Sequence, residues 1–227
     1  MKEHKKNIVV VIPAYNEEKK IRSVVDSVTK YADLIVVVDD GSKDKTSEMV
    51  NNKKAVVLRH CINLGQGAAL QTGFDYVKKL NPKVVVTYDA DGQFLAEEIP
   101  SMVKPILEKK VDVVLGSRFL GKTINMSPVR KYMLKLGILF TRFFSEIKLT
   151  DTHNGFRALS KKALESIKIT QNRMAHASEI IDEIKRNNLS YLEMPVTVKY
   201  DDYSKQKGQS SLNSVKIFLE LISKELS

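Results

Sequence analysis

The chain has 227 residues, a net charge of +10 and 43% apolar residues, which suits one domain with a substantial core. The positive charge indicates an anionic partner such as nucleic acid, anionic lipid or a phosphorylated substrate. The single cysteine, Cys61, excludes an internal disulfide and is typical of a reducing cytosol. No apolar stretch approaches the roughly 18–20 residues that cross a bilayer, so we expect no membrane-spanning helix.

Strand-like and helix-like segments alternate along the first half of the chain. Continuous apolar runs rich in Val and Ile predict buried strands at residues 8–12, 34–38, 55–58, 83–88 and 111–116. Helices are predicted between them at about 17–31, 44–52, 66–79 and 96–109. For the second helix, Ser42 and Asp44 are candidate N-caps. The alternation predicts an α/β fold with a mostly parallel sheet, in which ligands bind beyond the carboxyl ends of the strands.

The second half of the chain is more basic. Residues 118–149 contain seven Lys or Arg and one acid. Within them, 128–149 has the pattern of a helix with a wide apolar face and a basic opposite side. Further helices are predicted around 160–167, 176–187 and 212–226, and a strand around 191–199.

The stretch Asp89-Ala90-Asp91-Gly92-Gln93 directly follows the predicted strand at 83–88. Two carboxylates one residue apart at a strand's end can hold a hard divalent cation, and such a cation can clamp a diphosphate. The Gln93 side chain offers a neutral oxygen as a further ligand. The alternative is an ordinary acidic turn, because Asp and Gly favour turns.

Two other polar clusters follow predicted strands and should lie at the same edge of the sheet. In one, the backbone of Pro13–Tyr15 and the side chain of Glu17 can line a nucleotide cleft. In the other, Asp39 or Asp40 can accept hydrogen bonds from a base or a ribose. The turn around Gln66, flanked by two glycines, either approaches the same ligand or only permits a tight connection.

Five motifs then occur in order: Ile-Pro-Ala-Tyr-Asn-Glu-Glu (12–18), Val-Val-Asp-Asp-Gly-Ser (37–42), Asn-Leu-Gly-Gln-Gly (63–67), Asp-Ala-Asp-Gly-Gln (89–93) and Gly-Ser-Arg-Phe (116–119). Together they resemble glycosyltransferase family 2, which has the GT-A fold. Within it, the chain is similar to the dolichyl- and polyprenyl-phosphate sugar synthases. The resemblance covers about residues 7–211.

The resemblance implies inverting transfer of a sugar from a UDP- or GDP-sugar to a polyprenyl phosphate, with Mg²⁺ or Mn²⁺. The candidate donor-binding residues are Pro13, Ala14, Tyr15, Glu17, Asp39, Asp40, Gln66, Asp89 and Ala90. The candidate metal ligands are Asp89, Asp91 and Gln93. The candidate acceptor-phosphate residues are Arg118, Arg130, Lys205, Lys207 and Ser210, the last three in a loop that matches the family pattern imperfectly. Asp151 opens the family element Asp-x-x-x-Gly-Phe-Arg.

The candidate catalytic residues are Asp89, Asp91, Arg118 and Asp151. A lipid phosphate is already anionic and attacks without a strong general base, with Arg118 and Arg130 positioning it. A hydroxyl acceptor would need a base, for which Asp151 is the candidate.

Membrane contact is a second expectation. The 128–149 segment combines aromatic and aliphatic bulk with basic residues, as interfacial helices do, although core packing gives a similar pattern. We therefore expect a cytoplasmic protein bound peripherally to the membrane face, with a small membrane-spanning protein as a possible partner. We expect one catalytic domain with a donor half (1–117), an acceptor half (118–211) and a C-terminal amphipathic helix (212–227).

Three alternatives remain open at this point. A related glycosyltransferase would act on a saccharide hydroxyl. A nucleotidyltransferase would normally carry a Gly-rich loop after the first strand, where this chain has Pro13 to Glu17. A nucleic-acid-binding module is supported only by the charge, since the chain has 7% aromatic residues, no tryptophan and no recognisable binding motif, so we expect no nucleic-acid partner.

Overall fold

The computed structural model describes residues 7–129, 131, 132, 134, 138 and 149–201. The strands are β1 Ile8–Ala14, β2 Leu34–Asp39, β3 Ala55–Arg59, β4 Val84–Thr87, β5 Val113–Ile124, β6 Arg157–Ser160 and β7 Tyr191–Lys199. The helices are α1 Ile21–Val28, α2 Gln66–Lys78, α3 Ile99–Leu107, α4 Lys161–Ser166 and α5 His176–Arg186, with a short 3-10 helix at Ala96–Glu98 before α3.

The strands form one sheet in the order β3-β2-β1-β4-β6-β5-β7. Strand β6 runs antiparallel to both of its neighbours, while the other pairs are parallel. The predicted α/β class and mostly parallel sheet are therefore confirmed. Because β1, β2, β4 and β5 all point the same way, their carboxyl ends lie along one edge of the sheet.

Helices cover both faces of the sheet, which explains why the central strands are continuously apolar. In β1, Val10 and Ile12 pack in a core shared with α1 and α3. Their neighbours Val9 and Val11 face the opposite core, shared with α2, α4 and α5. Because successive side chains of a strand point to opposite faces of the sheet, β1 contributes to both cores.

The helix predicted at 44–52 is wrong, and so are its proposed N-caps. The Ser42 hydroxyl accepts a hydrogen bond from the Asn16 backbone N–H at 2.9 Å, and the Thr46 hydroxyl accepts one from Glu17 at 2.7 Å. Asp44 accepts from the Thr46 backbone N–H at 3.0 Å, a local turn bond. Short polar side chains here bond to neighbouring backbone instead of initiating a helix, and they fix the loop that follows β1.

Strand β6 was not predicted, because four residues beginning with a buried arginine carry no strand-like pattern. The strand at 191–199 is confirmed, and β5 continues past its predicted end to Ile124. Of the predicted helix at 128–149, the structure describes Pro128, Val129, Lys131, Tyr132, Leu134 and Ile138 as helical. Leu149 is described and is not helical, while the other residues of this prediction and the helix predicted at 212–226 lie outside the described residues.

Within the described part of the chain, every helix is too short or too polar to cross a bilayer.

Candidate active site

The carboxyl edge of the sheet brings the predicted donor-side motifs together. Ala14 at the end of β1 pairs with Asp39 at the end of β2. On the other side of β1, the Tyr88 backbone N–H donates to the Val11 carbonyl at 3.0 Å, which places Asp89 just beyond β4. The first and second motifs and the Asp-Ala-Asp motif therefore line one cleft edge, as the parallel topology predicts.

Asp89 lies where segments of the predicted donor half and the predicted acceptor half meet. Its Oδ1 accepts a hydrogen bond from Gln66 Nε2 at 3.1 Å, at the start of α2. On its other side, a Cβ placed on Gly155 would be 2.5 Å from both carboxylate oxygens. The Gly155 carbonyl in turn accepts a hydrogen bond from Thr87 Oγ1 at 2.6 Å. The absence of a side chain at Gly155 therefore lets the 151–157 loop pack directly on this carboxylate.

The surroundings of Asp89 favour a bound cation. Burial raises the pKa of the Asp89 carboxyl, and the nearby Glu17 acts in the same direction, while Arg157 and Arg118 oppose them. Glu17 is itself buried. A half-buried carboxylate beside a second acid is stabilised in its charged form by a positive ion, so these donors fit a hard divalent cation.

Asp91 completes the predicted pair. Its Oδ1 accepts the Gln93 backbone N–H at 2.9 Å, a tight turn in which Gly92 has a φ of +76°. Among the described residues, no three His, Cys, Asp or Glu side chains are grouped as a complete metal cage. The pairing of Asp89 and Asp91 on one metal ion stays a prediction. The Gln93 ligand assignment stays a prediction.

Aromatic side chains pack together on either side of this turn in the sequence. Tyr88, Phe94 and Phe156 pack with ring centroids 5.3 to 5.6 Å apart. The Tyr88 hydroxyl donates to the Phe94 carbonyl at 2.7 Å, which closes the loop around the two aspartates. Because Phe156 follows Gly155, the same cluster also fixes the acceptor-side loop.

On the donor side, the two adjacent acids have different partners. Asp39 is fully buried and accepts from the Ser42 backbone N–H at 2.8 Å and from the Ser47 hydroxyl. Arg59 Nε lies 3.7 Å from Asp39 Oδ2. Pro13, Ala14 and Ala90 are buried beside this edge, while Tyr15 is 38% exposed. These positions are compatible with the predicted donor site and do not test it.

The Asp40 carboxylate accepts hydrogen bonds from the loop that follows β3. One of its oxygens accepts from His60 Nδ1 at 2.8 Å and from the Leu64 backbone N–H at 2.9 Å. The other accepts from Asn63 Nδ2 at 2.8 Å and from the Gly65 backbone N–H at 2.7 Å. Both oxygens of Asp40 therefore accept hydrogen bonds from the protein, as both oxygens of Asp39 do from Ser42 and Ser47. Both acids have structural roles here, and their donor-binding roles stay predictions.

On the acceptor side, Arg118 is buried and all three of its guanidinium nitrogens donate inward. Nε donates to Asp151 Oδ2 at 2.6 Å, and the two Nη atoms donate to the Tyr200 hydroxyl and the His153 carbonyl, each at 2.9 Å. Burial alone would lower the pKa of Arg118, but the Asp151 carboxylate raises it above its usual value. The predicted contact of Arg118 with an acceptor phosphate stays untested. Through these hydrogen bonds Arg118 anchors the 151–157 loop.

Asp151 is held from several directions at the start of the 151–157 loop. Glu193 on β7 accepts from the backbone N–H groups of Thr150 and Asp151, at 2.9 and 3.2 Å. Asp151 Oδ2 accepts from Arg118, whereas Oδ1 is buried and has no hydrogen-bond partner among the described residues. The predicted role of Asp151 as a base stays a prediction. Its free oxygen is an unused acceptor.

The sequence reasoning missed Arg157 as a site residue. It pairs in register with Thr87 on β4 and Leu115 on β5, and its Nη1 is also buried without a described partner. Burial lowers the pKa of Arg157 to about 10, against the opposing effects of Asp89 and Asp151. The Gly-Phe-Arg motif was the available signal, but only the sheet places this cation beside Asp89.

Two histidines lie in the same charged cluster. Burial lowers the pKa of His153 to about 4, with Asp151 opposing and the cations Arg118 and Arg157 adding to the decrease. Burial likewise lowers the pKa of His176 to about 4, again with Arg157 contributing. Both imidazoles are therefore neutral at pH 7, and a protonated form would add to an already cationic cluster.

This arrangement predicts a loss of stability in mild acid. Histidine in an unfolded chain has a pKa near 6.5. Below that pH the unfolded chain therefore binds protons that the folded protein does not bind. The contribution of these two histidines to the unfolding free energy is fully present above pH 6.5 and is lost as the pH falls towards 4. We expect the unfolding free energy at pH 5 to be lower than at pH 7 by about 2 kcal/mol for each histidine. Urea titrations measure it. His176→Gln should show a smaller decrease, and an imidazole that titrates near 6.5 by NMR would contradict the prediction.

The remaining predicted acceptor residues, Arg130, Lys205, Lys207 and Ser210, lie outside the described residues, and their roles stay predictions.

The fold matches solved structures of nucleotide-sugar enzymes. The crystal structure of glucosyl-3-phosphoglycerate synthase from Mycobacterium tuberculosis in complex with Mn²⁺ and UDP-glucose superposes on this structure with a TM-score of 0.73. The match covers 96% of this chain and 78% of that one, at 21% sequence identity. At this identity the match establishes the fold, and it confirms the predicted GT-A class.

The model of the family "Glycosyl transferase family 2" matches residues 9–168. The chain therefore belongs to glycosyltransferase family 2. It is 34% identical to the UDP-N-acetylglucosamine–dolichyl-phosphate N-acetylglucosaminyltransferase of Methanococcus voltae, over 96% of this chain and 95% of that protein. It is 30% identical to the polyprenol monophosphomannose synthase of Mycolicibacterium smegmatis, over 83% and 76%. These relatives confirm the resemblance to the dolichyl- and polyprenyl-phosphate sugar synthase group.

Proposed function

We propose that the protein is an inverting glycosyltransferase that moves a sugar from a UDP- or GDP-sugar to a polyprenyl phosphate at the membrane surface. The observation that carries the proposal is the packing of Asp89 against Gly155. It places the carboxylate expected to serve the donor diphosphate in contact with the loop expected to serve the acceptor. Transfer requires these two sites to be adjacent, since the reacting atoms must come within about 3–3.5 Å.

In this proposal one half of the chain binds the donor and the other binds the acceptor. Residues 1–117 supply the donor cleft, with Asp39 facing the nucleoside and Asp89 and Asp91 facing the diphosphate. Residues 118–211 supply the acceptor side, where Arg118 and Glu193 fix the loop that begins at Asp151. The C-terminal amphipathic helix predicted at 212–227 lies outside the described residues and stays a prediction.

Asp89 and Asp91 would hold Mg²⁺ or Mn²⁺, which when bound offsets the negative charge that develops on the departing diphosphate. The protein's own residues set the rest of the geometry. Arg157 keeps positive charge next to the Asp89 carboxylate, and Gln66 holds one of its oxygens. The phosphate acceptor attacks as an anion, with Arg130, Lys205, Lys207 and Ser210 as the proposed contacts.

The distribution of exposed apolar residues supports a membrane-facing carboxyl edge. Ten large apolar side chains are exposed among the described residues. Three lie away from this edge, on α3 and at the start of β7: Leu107, Tyr191 and Leu192. The other seven follow the carboxyl ends of strands or extend β5 past them: Tyr15, Ile62, Leu64, Leu120, Ile124, Val129 and Tyr132. A lipid-borne acceptor would reach the site from this side. A small membrane-spanning partner stays part of the proposal without support from these residues.

The test uses purified protein with labelled UDP- or GDP-sugar, Mn²⁺ and polyprenyl phosphate in detergent. We expect label to enter the organic phase only when both substrates are present, and to be released by mild acid as free sugar. If a saccharide replaces the lipid, label in a saccharide product separated from the sugar nucleotide would instead identify a hydroxyl acceptor. For that alternative Asp151 is the candidate base, since its Oδ1 has no hydrogen-bond partner among the described residues. A thermal-shift comparison of UDP, GDP and dTDP, each with and without Mn²⁺, identifies the donor nucleotide.

A further inference from the structure

The loop that follows β3 exposes apolar side chains at the carboxyl edge. Cys61 is exposed, Ile62 is 66% exposed and Leu64 is 41% exposed. Burying such an aliphatic side chain stabilises a fold, and an exposed one does not contribute this free energy. Two of them on one short loop therefore indicate a surface that is covered by something other than the described part of the chain.

The loop is held in this exposed position. Asp40 accepts hydrogen bonds from the backbone N–H groups of Leu64 and Gly65 and from the side chain of Asn63. From behind, Gly41 lies so close that an added Cβ would be 2.5 Å from the Ile62 carbonyl carbon. A buried carboxylate and a close backbone contact thus fix the loop, so that Ile62 cannot fold back onto the domain without breaking them.

The loop lies on the opposite side of the site from the other exposed apolar group. In the sheet order, β3 is five strands away from β5, whose extension carries Leu120 and Ile124. At about 4.8 Å a strand, the two are roughly 24 Å apart. Asp39 and Asp89 follow strands that lie between them. Apolar side chains therefore border the candidate site on both sides.

The charges around the loop are suited to an anionic surface. Lys43 and Lys45 are exposed on the neighbouring loop after β2, and the Arg59 side chain is 54% exposed. Arg59 links the two loops by donating to the Ser42 carbonyl at 2.9 Å. Of the acids on that loop, Asp44 accepts hydrogen bonds from its own turn, while Glu48 is exposed and offsets part of this positive charge. Aliphatic tips flanked by cations are what a protein presents to the headgroup region of an anionic membrane.

We propose that the 61–64 loop is a membrane contact, with Ile62 and Leu64 entering the boundary between lipid headgroups and acyl chains. This inference rests on the proposed function, because that function brings the carboxyl edge to a bilayer. It adds that the protein contacts the membrane on the donor side as well as along the β5 extension and the segment that begins at Pro128. The donor cleft would then lie between two contacts and face the lipid surface.

The chain contains no tryptophan, so a single introduced tryptophan reports its own environment. We would place it at Ile62, at Leu120 on the β5 extension, and at Leu107, which is 44% exposed on α3 away from the carboxyl edge. Each variant is mixed with phosphatidylcholine–phosphatidylglycerol vesicles that carry brominated acyl chains. We expect a blue shift and quenching for Ile62→Trp and no change for Leu107→Trp.

A second measurement separates membrane contact from a role in the donor site. Ile62→Asp combined with Leu64→Asp should lower vesicle binding about tenfold or more, since each aliphatic side chain contributes on that scale when buried. Binding of UDP or GDP with Mn²⁺, and transfer to polyprenyl phosphate in detergent, should stay unchanged. Leu107→Asp is the matched control.

Each other outcome overturns the inference. Quenching at Leu120→Trp without quenching at Ile62→Trp would leave the protein membrane-bound through the β5 side alone. Weaker nucleotide binding in the double variant would assign the loop to the donor pocket, and a concentration-dependent dimer lost on the same substitution would assign it to a second copy of the chain. If no variant is quenched, the loop does not contact lipid. The proposed function is judged separately by the detergent assay, which needs no bilayer.

Discussion

Replacing Asp91 with asparagine is expected to lower sugar transfer about a thousandfold or more. A bound cation stabilises the developing diphosphate charge by several kcal/mol, and each 1.4 kcal/mol is about a factor of ten in rate. The substitution removes the charge but retains an acceptor for the Gln93 backbone N–H, which Asp91 binds at 2.9 Å. Because the turn is preserved, a loss of activity would report the charge and not the local fold. Transfer rates and Mn²⁺-dependent nucleotide binding by calorimetry are the measurements.

Asp112 provides the control for this change. Its carboxylate also accepts hydrogen bonds, from Ser190 at 2.8 Å, but it lies at the amino end of β5, away from the site. Asp112→Asn should therefore leave transfer and metal-dependent binding unchanged. Normal turnover by Asp91→Asn in the presence of the cation would remove the metal assignment on which the proposed function depends.

The sequence predicted the parts of the fold that depend on local pattern. Runs such as Leu34–Val38 are buried on both faces, so they are apolar throughout and visible without a structure. The position of Asp89 at a strand's end could be predicted for the same reason. Its partners could not, because Gly155 and Arg157 reach it through β6, a four-residue strand inserted antiparallel between β4 and β5.

The roles of charged residues were harder to predict than their positions. Asp40 follows a recognisable motif, yet its oxygens are used by groups more than twenty positions further along the chain. Arg118 was predicted to contact a phosphate, which stays a prediction, and its guanidinium donates to Asp151 and Tyr200. In both cases the edge of the sheet follows from the strand pattern, while the hydrogen-bond partners depend on tertiary contacts that spacing along the chain does not encode.

Gly155→Ala is expected to disable the candidate metal site without changing any proposed ligand. The new Cβ would lie 2.5 Å from both carboxylate oxygens of Asp89 and 2.7 Å from its Cγ, closer than such contacts permit. Asp89 cannot retreat freely, since Gln66 holds one oxygen at 3.1 Å. We expect Mn²⁺-dependent nucleotide binding to weaken about 10- to 100-fold, the range seen when residues behind a metal ligand are changed. Overpacking should also lower the unfolding free energy by about 1–3 kcal/mol.

Gly73→Ala separates these two effects. Its added Cβ would lie 2.4 Å from Val11 Cγ1, where α2 packs on β1, so the clash is equally close but lies in the apolar core. Urea titration should show a similar loss of stability for both variants, whereas calorimetry should show weakened metal-dependent binding for Gly155→Ala alone. If both variants bind nucleotide and Mn²⁺ equally well, the close packing of the 151–157 loop on Asp89 does not control the site. Loss of binding confined to Gly155→Ala would instead mean that the acceptor-side loop sets the position of a donor-side carboxylate, so that the two halves of the chain build the site jointly.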